Sequence, residues 1–222
     1  MINGKDQIAT TPVRDFADRA AALSVLHAVY VEEKGWVGDL EDLLPEEDLA
    51  RSDVSWFLCR REGRAVGVVR VLFELPLERY REYGLKLLAP GTDVEAFLRR
   101  HRIAEVGRFA VLDSERGQFM AAASLIRAAA LEALTRRCTH LITDVFENDP
   151  NSPYAFHTRV LGFVPVATHD HGELRSDDRR ITMLLDLKAS YERLRQRGGW
   201  IFRYIFEGWS DDERERLMAV ET

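Results

Sequence analysis

The sequence predicts an α/β domain whose mixed, mostly antiparallel sheet is flanked by helices and contains one parallel strand pair. Three observations lead there. Six short apolar runs between turn residues, at 55–60, 65–73, 103–112, 140–146, 163–168 and 181–187, read as strands. An alanine-rich helix at 118–137 joins the strands 103–112 and 140–146, and a right-handed crossover makes those two strands parallel neighbours. The stretch from Glu105 to Phe163 then runs strand, charged turn, long helix, strand, short helix and a closing Leu161-Gly162-Phe163. In that closing triplet, glycine stops a helix and an aromatic opens a strand. The 222 residues fit one domain, 1–188, followed by a basic and aromatic helical extension, 189–222.

In order along the chain, residues 1–12 read as a frayed start. From Val13 to Lys34 apolar residues recur at helical spacing (Phe16, Ala20, Leu23, Leu26, Val29, Tyr30), and Gly35 ends that helix. Residues 36–53 are acidic and irregular. The runs 55–60 and 65–73, with Glu62-Gly63 between them, form a hairpin. A short helix within 77–88 is followed by a Pro90-Gly91 loop and another helical turn at 94–100. The helix 118–137 presents Ala121, Leu125, Ala128, Ala129, Leu131 and Leu134 as its apolar content. A short helix at 152–161 precedes the last two strands, which a polar loop joins.

Composition narrows the function. A 46% hydrophobic and 31% charged content describes a folded, soluble protein. The formal net charge of −6 argues against nucleic acid as a partner, because neutralising phosphates needs a basic face. Cys59 and Cys138 have no ligand spacing and sit in apolar segments, so they read as buried thiols in a reducing cytoplasm. No apolar signal core opens the chain and no run approaches the ~18 apolar residues of a spanning helix, so a cytoplasmic location is expected. His169-Asp170-His171 lies in a polar loop with Glu173, Asp177 and Asp178; without a distant partner pattern it reads as a solvated loop, not a metal site.

The layout from Glu105 to Phe163 suits the gripping of a thioester carrier, and acyl transfer is the first functional expectation. An acyl donor carries a long pantetheine arm, and two parallel strands that splay apart offer a free edge to its amides. A coenzyme A pyrophosphate seeks backbone N–H groups at a helix N-terminus. Asp113-Ser114-Glu115-Arg116-Gly117-Gln118 precedes the long helix, and Arg116 and Gly117 suit an anion there, although the loop holds a single glycine. An amine acceptor is mostly protonated at neutral pH, so its attack needs a proton acceptor. Glu105 on the central strand is the candidate, with structural pairing to Arg108 as the alternative reading. Gly107 between them marks a close approach or a bulge, and a backbone N–H near it suits an oxyanion. In an ideal strand residues 105 and 107 share one face and 108 the other, so Glu105 and Arg108 can share a site only across a bulge.

Taken with the strand and crossover helix before it, Leu161-Gly162-Phe163 resembles the GNAT superfamily of N-acetyltransferases over roughly residues 13–187. Within it, Val29-Tyr30-Val31-Glu32-Glu33-Lys34-Gly35-Trp36, Val68-Val69-Arg70-Val71-Leu72 and Glu105-Val106-Gly107-Arg108-Phe109-Ala110-Val111 are similar to segments of autoinducer synthases and long-chain N-acyl amino acid synthases. The resemblance implies transfer of a fatty acyl group from acyl carrier protein or acyl-CoA, as cosubstrate and without a permanently bound cofactor, to the amine of an amino acid or similar small molecule. It implies substrate-binding roles for Trp36, Arg70, Arg108 and Phe109, an acidic catalytic role for Glu105, and donor-side roles for Val111, Arg116, Gly117 and Gln118. Many members use a tyrosine of the short helix to protonate the leaving thiolate; here His157 or Tyr154 would serve, or the thiolate, whose parent thiol has a pKa of about 8.5, would leave unaided. Two departures speak against a homoserine lactone product. Leu26 stands where the autoinducer synthases carry arginine, and Glu46, Glu47 and Asp48 match their paired aspartates only loosely.

Two basic runs, Arg99-Arg100-His101-Arg102 and Arg193, Arg195, Arg197 and Arg203, would steer an acidic carrier protein. Trp200, Ile201, Phe202, Tyr204, Ile205, Phe206 and Trp209 crowd the tail and need cover: the chain's own core, the acyl pocket, a second subunit in a homodimer, or a peripheral membrane contact. The competing expectations are a short-chain acetyltransferase using acetyl-CoA, and a non-catalytic protein of the same fold that binds an acyl ligand.

Overall fold

The structure, a computed structural model, describes residues 8–37, 43–75, 77–117, 119–206 and 208–219. Its elements are β1 (Ile8–Pro12), α1 (Phe16–Leu26) continued by a π-helical segment (His27–Glu33), a 3-10 turn (Glu46–Leu49), β2 (Val54–Arg61), β3 (Arg64–Leu72), α2 (Leu77–Glu82), β4 (Lys86–Leu87) and α3 (Val94–Arg100). They continue with β5 (Ile103–Val111), α4 (Asp113–Arg116), α5 (Met120–Thr135), β6 (His140–Phe146), a second π-helical segment (Phe156–Leu161), β7 (Val164–His169), β8 (Arg180–Asp186), α6 (Leu187–Arg197), α7 (Gly199–Phe206) and α8 (Asp211–Met218).

Among the described residues eight strands line up as β1-β2-β3-β5-β6-β8-β7-β4. The pairs β1/β2, β2/β3, β6/β8, β7/β8 and β4/β7 are antiparallel, and β5/β6 is parallel, as the crossover argument requires. The parallel ladder joins Ile103 to His140, Ala104 to Leu141 and Glu105 to Ile142. By contacts the chain divides into two compact units, Met1–Leu72 with Val106–Leu131 and Phe73–Glu105 with Glu132–Thr222, so the division falls inside β5 and α5.

In the first unit Asp15 caps α1 by accepting from Asp18 N at 2.8 Å, and α1 lays Ala22, Val25 and Leu26 against β2 and β3. Glu62 and Gly63 take φ of 51° and 81°, the left-handed pair that a tight hairpin turn requires. Val66, Val68, Val69 and Val71 are buried one after another along β3. Gly67 interrupts that run for a reason: a Cβ there would lie 3.0 Å from Leu125 Cδ1 and 3.2 Å from Ala110 O, so α5 and β5 close directly onto β3. Residues 8–12, read from sequence as part of a frayed start, instead form an edge strand along β2, tied by the 2.6 Å hydrogen bond between the Thr10 and Ser124 hydroxyls.

In the second unit β6, β7 and β8 bury Leu141, Val145, Ala167, Met183 and Leu185. The expected helix stop is present: Gly162 takes φ 96°, and the space its side chain would need is occupied by Arg193 Nη1 at 2.7 Å. The tail forms three helices. Tyr191 meets Phe202 and Phe206 at ring separations of 5.7 and 5.0 Å, and Phe206 meets Trp209 at 4.9 Å, so most of its aromatic surface is covered within its own unit. Trp200 stays 45% exposed. No helix among the described residues is long and apolar enough to cross a membrane.

Candidate active site

In the first unit the residues expected to bind substrate converge on Tyr30. The π-helical turn that follows α1 buries Tyr30 and Val29, and Trp36 N closes back on Tyr30 O at 2.8 Å. The Trp36 ring lies 5.5 Å from the Tyr30 ring, with Lys34 Nζ 5.5 Å over its face. Burial pushes the Tyr30 phenol up to about 12 even though the nearby Arg108 and Arg70 guanidinium groups pull it down. Its hydroxyl points to Phe109 O at 3.4 Å. Tyr30 thus stays neutral, with two guanidinium charges near it on β3 and β5.

β5 departs from regular strand geometry at one residue. Arg108, not Gly107, takes the left-handed conformation, at φ 48°. Along the strand Ile103 to Val106 are all buried, Gly107 to Phe109 half-buried, and Ala110 and Val111 buried again. Asp48, one of the three acids loosely matched to the autoinducer synthases, is buried and engaged, accepting from Trp56 Nε1 at 2.9 Å and from Arg51 at 3.0 Å.

Arg116, expected at an anion site, donates to both carboxylate oxygens of Glu33 at 2.7 and 2.6 Å and to Val111 O at 2.9 Å. Gly117 follows it in a turn, and Gln118 lies outside the described residues. The neighbouring Glu115 is buried and held by Arg61 at 2.7 Å and Arg64 at 2.8 Å.

In the second unit Glu105 is 9% exposed and accepts a hydrogen bond from the Tyr80 hydroxyl at 3.2 Å. Tyr80 in α2 and Tyr83 in the turn just after it both pack on His169, edge-on and stacked respectively, each at 5.9 Å. His169 is 1% exposed. Its Nδ1 is 2.6 Å from His171 O, while Nε2 lies 3.2 Å from Asp144 Oδ2, a charge contact rather than a well-formed hydrogen bond. Burial alone would lower the His169 pKa, but the Asp144 carboxylate outweighs it and holds the value above the ordinary range. Sequence reasoning passed over this cluster, because His169-Asp170-His171 looked like a solvated loop. The alternation of strand β7, which turns residues 167 and 169 inward, was the available signal.

His157 is buried between the rings of Phe156 and Phe163, with Nδ1 2.9 Å from Pro153 O, and burial drives its pKa to about 4. It is therefore neutral at physiological pH. Tyr154, at the start of the same short helix, is 37% exposed. Of the two basic runs, Arg193 and Arg197 are turned to the carbonyls of Thr158 and Arg159, at 3.4 Å for Thr158 and 3.0 and 2.6 Å for Arg159. His101 packs between Phe97 and His140 at 4.4 and 4.6 Å.

No protein-family model matches the sequence, and neither does any curated protein sequence. Solved structures do match. An N-acyl amino acid synthase from uncultured soil microbes, FeeM, superposes with a TM-score of 0.66 and 19% identity over 87% of this chain and 99% of its own. The fold is that of the GNAT N-acetyltransferases. A putative acetyltransferase of the GNAT family from Desulfovibrio desulfuricans matches at TM-score 0.56 and 12% identity, covering 82% of this chain and 99% of its own. The ribosomal-protein-S18-alanine N-acetyltransferase from Escherichia coli matches at 0.57 and 12%, covering 82% and 94%. The GNAT likeness read from Glu105 to Phe163 is thereby borne out at the level of the fold, as is the parallel pair inside a mostly antiparallel sheet.

Proposed function

We propose that this protein is an N-acyltransferase that moves an acyl group, preferentially a fatty one, from an acyl-CoA or acyl-carrier-protein thioester to the amine of an amino acid or similar small molecule. The observation that carries the reading is Glu105: a buried carboxylate on β5, hydrogen-bonded by Tyr80, in a GNAT fold whose similar structures are named as N-acyl and N-acetyltransferases. In the reaction the amine nitrogen attacks the thioester carbonyl. A carbon–nitrogen bond forms, the carbon–sulfur bond breaks, and the proton lost by nitrogen goes to the Glu105 carboxylate. The departing thiolate takes a proton from Tyr154 or from solvent; His157, neutral and buried, is the weaker of the two donors expected on the short helix. Arg70 and Arg108 supply charges suited to an acceptor carboxylate, with Trp36 and Phe109 as apolar wall. Val111, Gly117 and Gln118 remain donor-side residues in this reading.

The closed Arg116–Glu33 pair favours a donor recognised through its pantetheine arm and acyl chain. A diphosphate at Arg116 would compete with a carboxylate already in place. That weighs against a coenzyme A donor of any acyl length and toward the carrier-protein thioester.

The test is steady-state kinetics of wild type and Glu105→Gln with acetyl, hexanoyl and palmitoyl thioesters and a panel of amino acids. The glutamine variant loses on the order of 10²–10⁴ in kcat, the usual contribution of a positioned base, with its thermal midpoint nearly unchanged. Equal turnover in the two proteins would remove Glu105 from the chemistry. Binding without turnover in wild type would leave the non-catalytic acyl-binding reading.

A further inference from the structure

We infer that Tyr80 is a positioning residue for the Glu105 carboxylate, itself held in place by the His169–Asp144 pair; the inference rests on the reading of Glu105 as the base. The geometry comes from three elements of the second unit. α2 delivers Tyr80, whose buried hydroxyl donates to Glu105 Oε2 at 3.2 Å. β7 delivers His169, whose ring meets the Tyr80 ring edge-on at 5.9 Å and stacks within 15° of the Tyr83 plane. β6 delivers Asp144, 3.2 Å from His169 Nε2, while His171 O holds Nδ1 at 2.6 Å. Nδ1 is thus hydrogen-bonded while Nε2 faces the Asp144 carboxylate as a charge contact, and the ring makes a wall for two tyrosines.

A buried polar arrangement of this kind is seldom the most stable way to fill a core. Apolar residues of similar volume would do as well or better. What it provides is orientation. A donor on one oxygen of a carboxylate stops rotation about the last side-chain torsion, which is otherwise broad. The charged groups acting on the tyrosine wall are Glu173, Arg79, Glu105 and Glu82 on Tyr83, and Asp144 and Arg180 on His169.

The experiment is a double-mutant cycle with Tyr80→Phe and Asp144→Asn, read in kcat and KM. Tyr80→Phe lowers kcat about 10- to 100-fold, the factor for a hydrogen bond to a charged group, with KM changed less than about twofold. Asp144→Asn alone lowers kcat by a smaller factor, and adds nothing in the Tyr80→Phe background because it acts only through that hydroxyl. Full additivity, or wild-type kcat in Tyr80→Phe, overturns the inference, and a fall in thermal midpoint alone counts with that outcome. A second readout does not depend on activity. Difference infrared spectra between wild type and Glu105→Gln isolate the Glu105 band, and the same difference in the Tyr80→Phe background shows that band displaced. An unmoved band overturns the inference even if turnover is found. A displaced band with no turnover in wild type upholds the hydrogen bond while refuting the proposed reaction.

Discussion

Arg108 holds φ 48° within a strand, a conformation that costs an L-residue about 1–2 kcal/mol and that glycine adopts freely. The residue just before it is glycine, yet the arginine takes the strained position. Arg108→Gly is therefore about 1 kcal/mol more stable than Arg108→Ala in denaturant titrations, while both raise KM for the amine acceptor; equal stabilities would show that the backbone relaxes at this site. Two buried histidines make opposite pH predictions. The fold holds His157 at about 4, below its ordinary 6.5, so its contribution is present above pH 6.5 and is lost as pH falls toward 4, up to about 3 kcal/mol. His169 is raised, so its contribution is full below the ordinary value and is lost as pH rises through the folded one. Thermal midpoints followed from pH 7 to 4 fall less steeply for His157→Gln than for wild type; parallel curves would show that His157 is not the group that titrates.

Elements differ in how far they could be read from the chain. β6 was legible to the residue, because 140–146 is an apolar run bounded by a helix end and a turn, and the β2–β3 hairpin followed from its Glu62-Gly63 turn. β1 was not legible: its polar Thr10 and Thr11 look like loop, and only pairing with β2 makes them a strand. β4 is two exposed residues fixed by β7, with no pattern of its own. The π-helical turns, which place Tyr30 and His157, were legible as helix but not as a change of helix type. Close packing of elements is itself testable at Gly67. Gly67→Ala puts a methyl 3.0 Å from Leu125 Cδ1 and 3.2 Å from a carbonyl oxygen that cannot yield, so it destabilises by about 1–3 kcal/mol in thermal or denaturant unfolding. An unchanged midpoint would mean α5 and β5 are packed more loosely against β3 than described.

For the molecule as a whole, the order of elements carried more information than any single motif. The crossover from β5 through α5 to β6 and the Gly162 stop were enough to anticipate the GNAT fold, at identities where the similar structures share fewer than one residue in five. The candidate site was legible only in part. Glu105, Arg70, Arg108 and Trp36, the residues proposed from the sequence, stand in recognisable segments, whereas in the second unit Tyr80, Tyr83, His169 and Asp144 come from α2, the turn after it, β7 and β6 and share no local sequence pattern. The most direct measurement of the central claim is mass spectrometry of the products formed by purified protein from a palmitoyl thioester and a mixture of amino acids, with released thiol titrated in the same tube. The account predicts an N-acyl amino acid in amount equal to the free thiol, absent with Glu105→Gln. Thiol release with free fatty acid alone, or no release from any thioester, would contradict it.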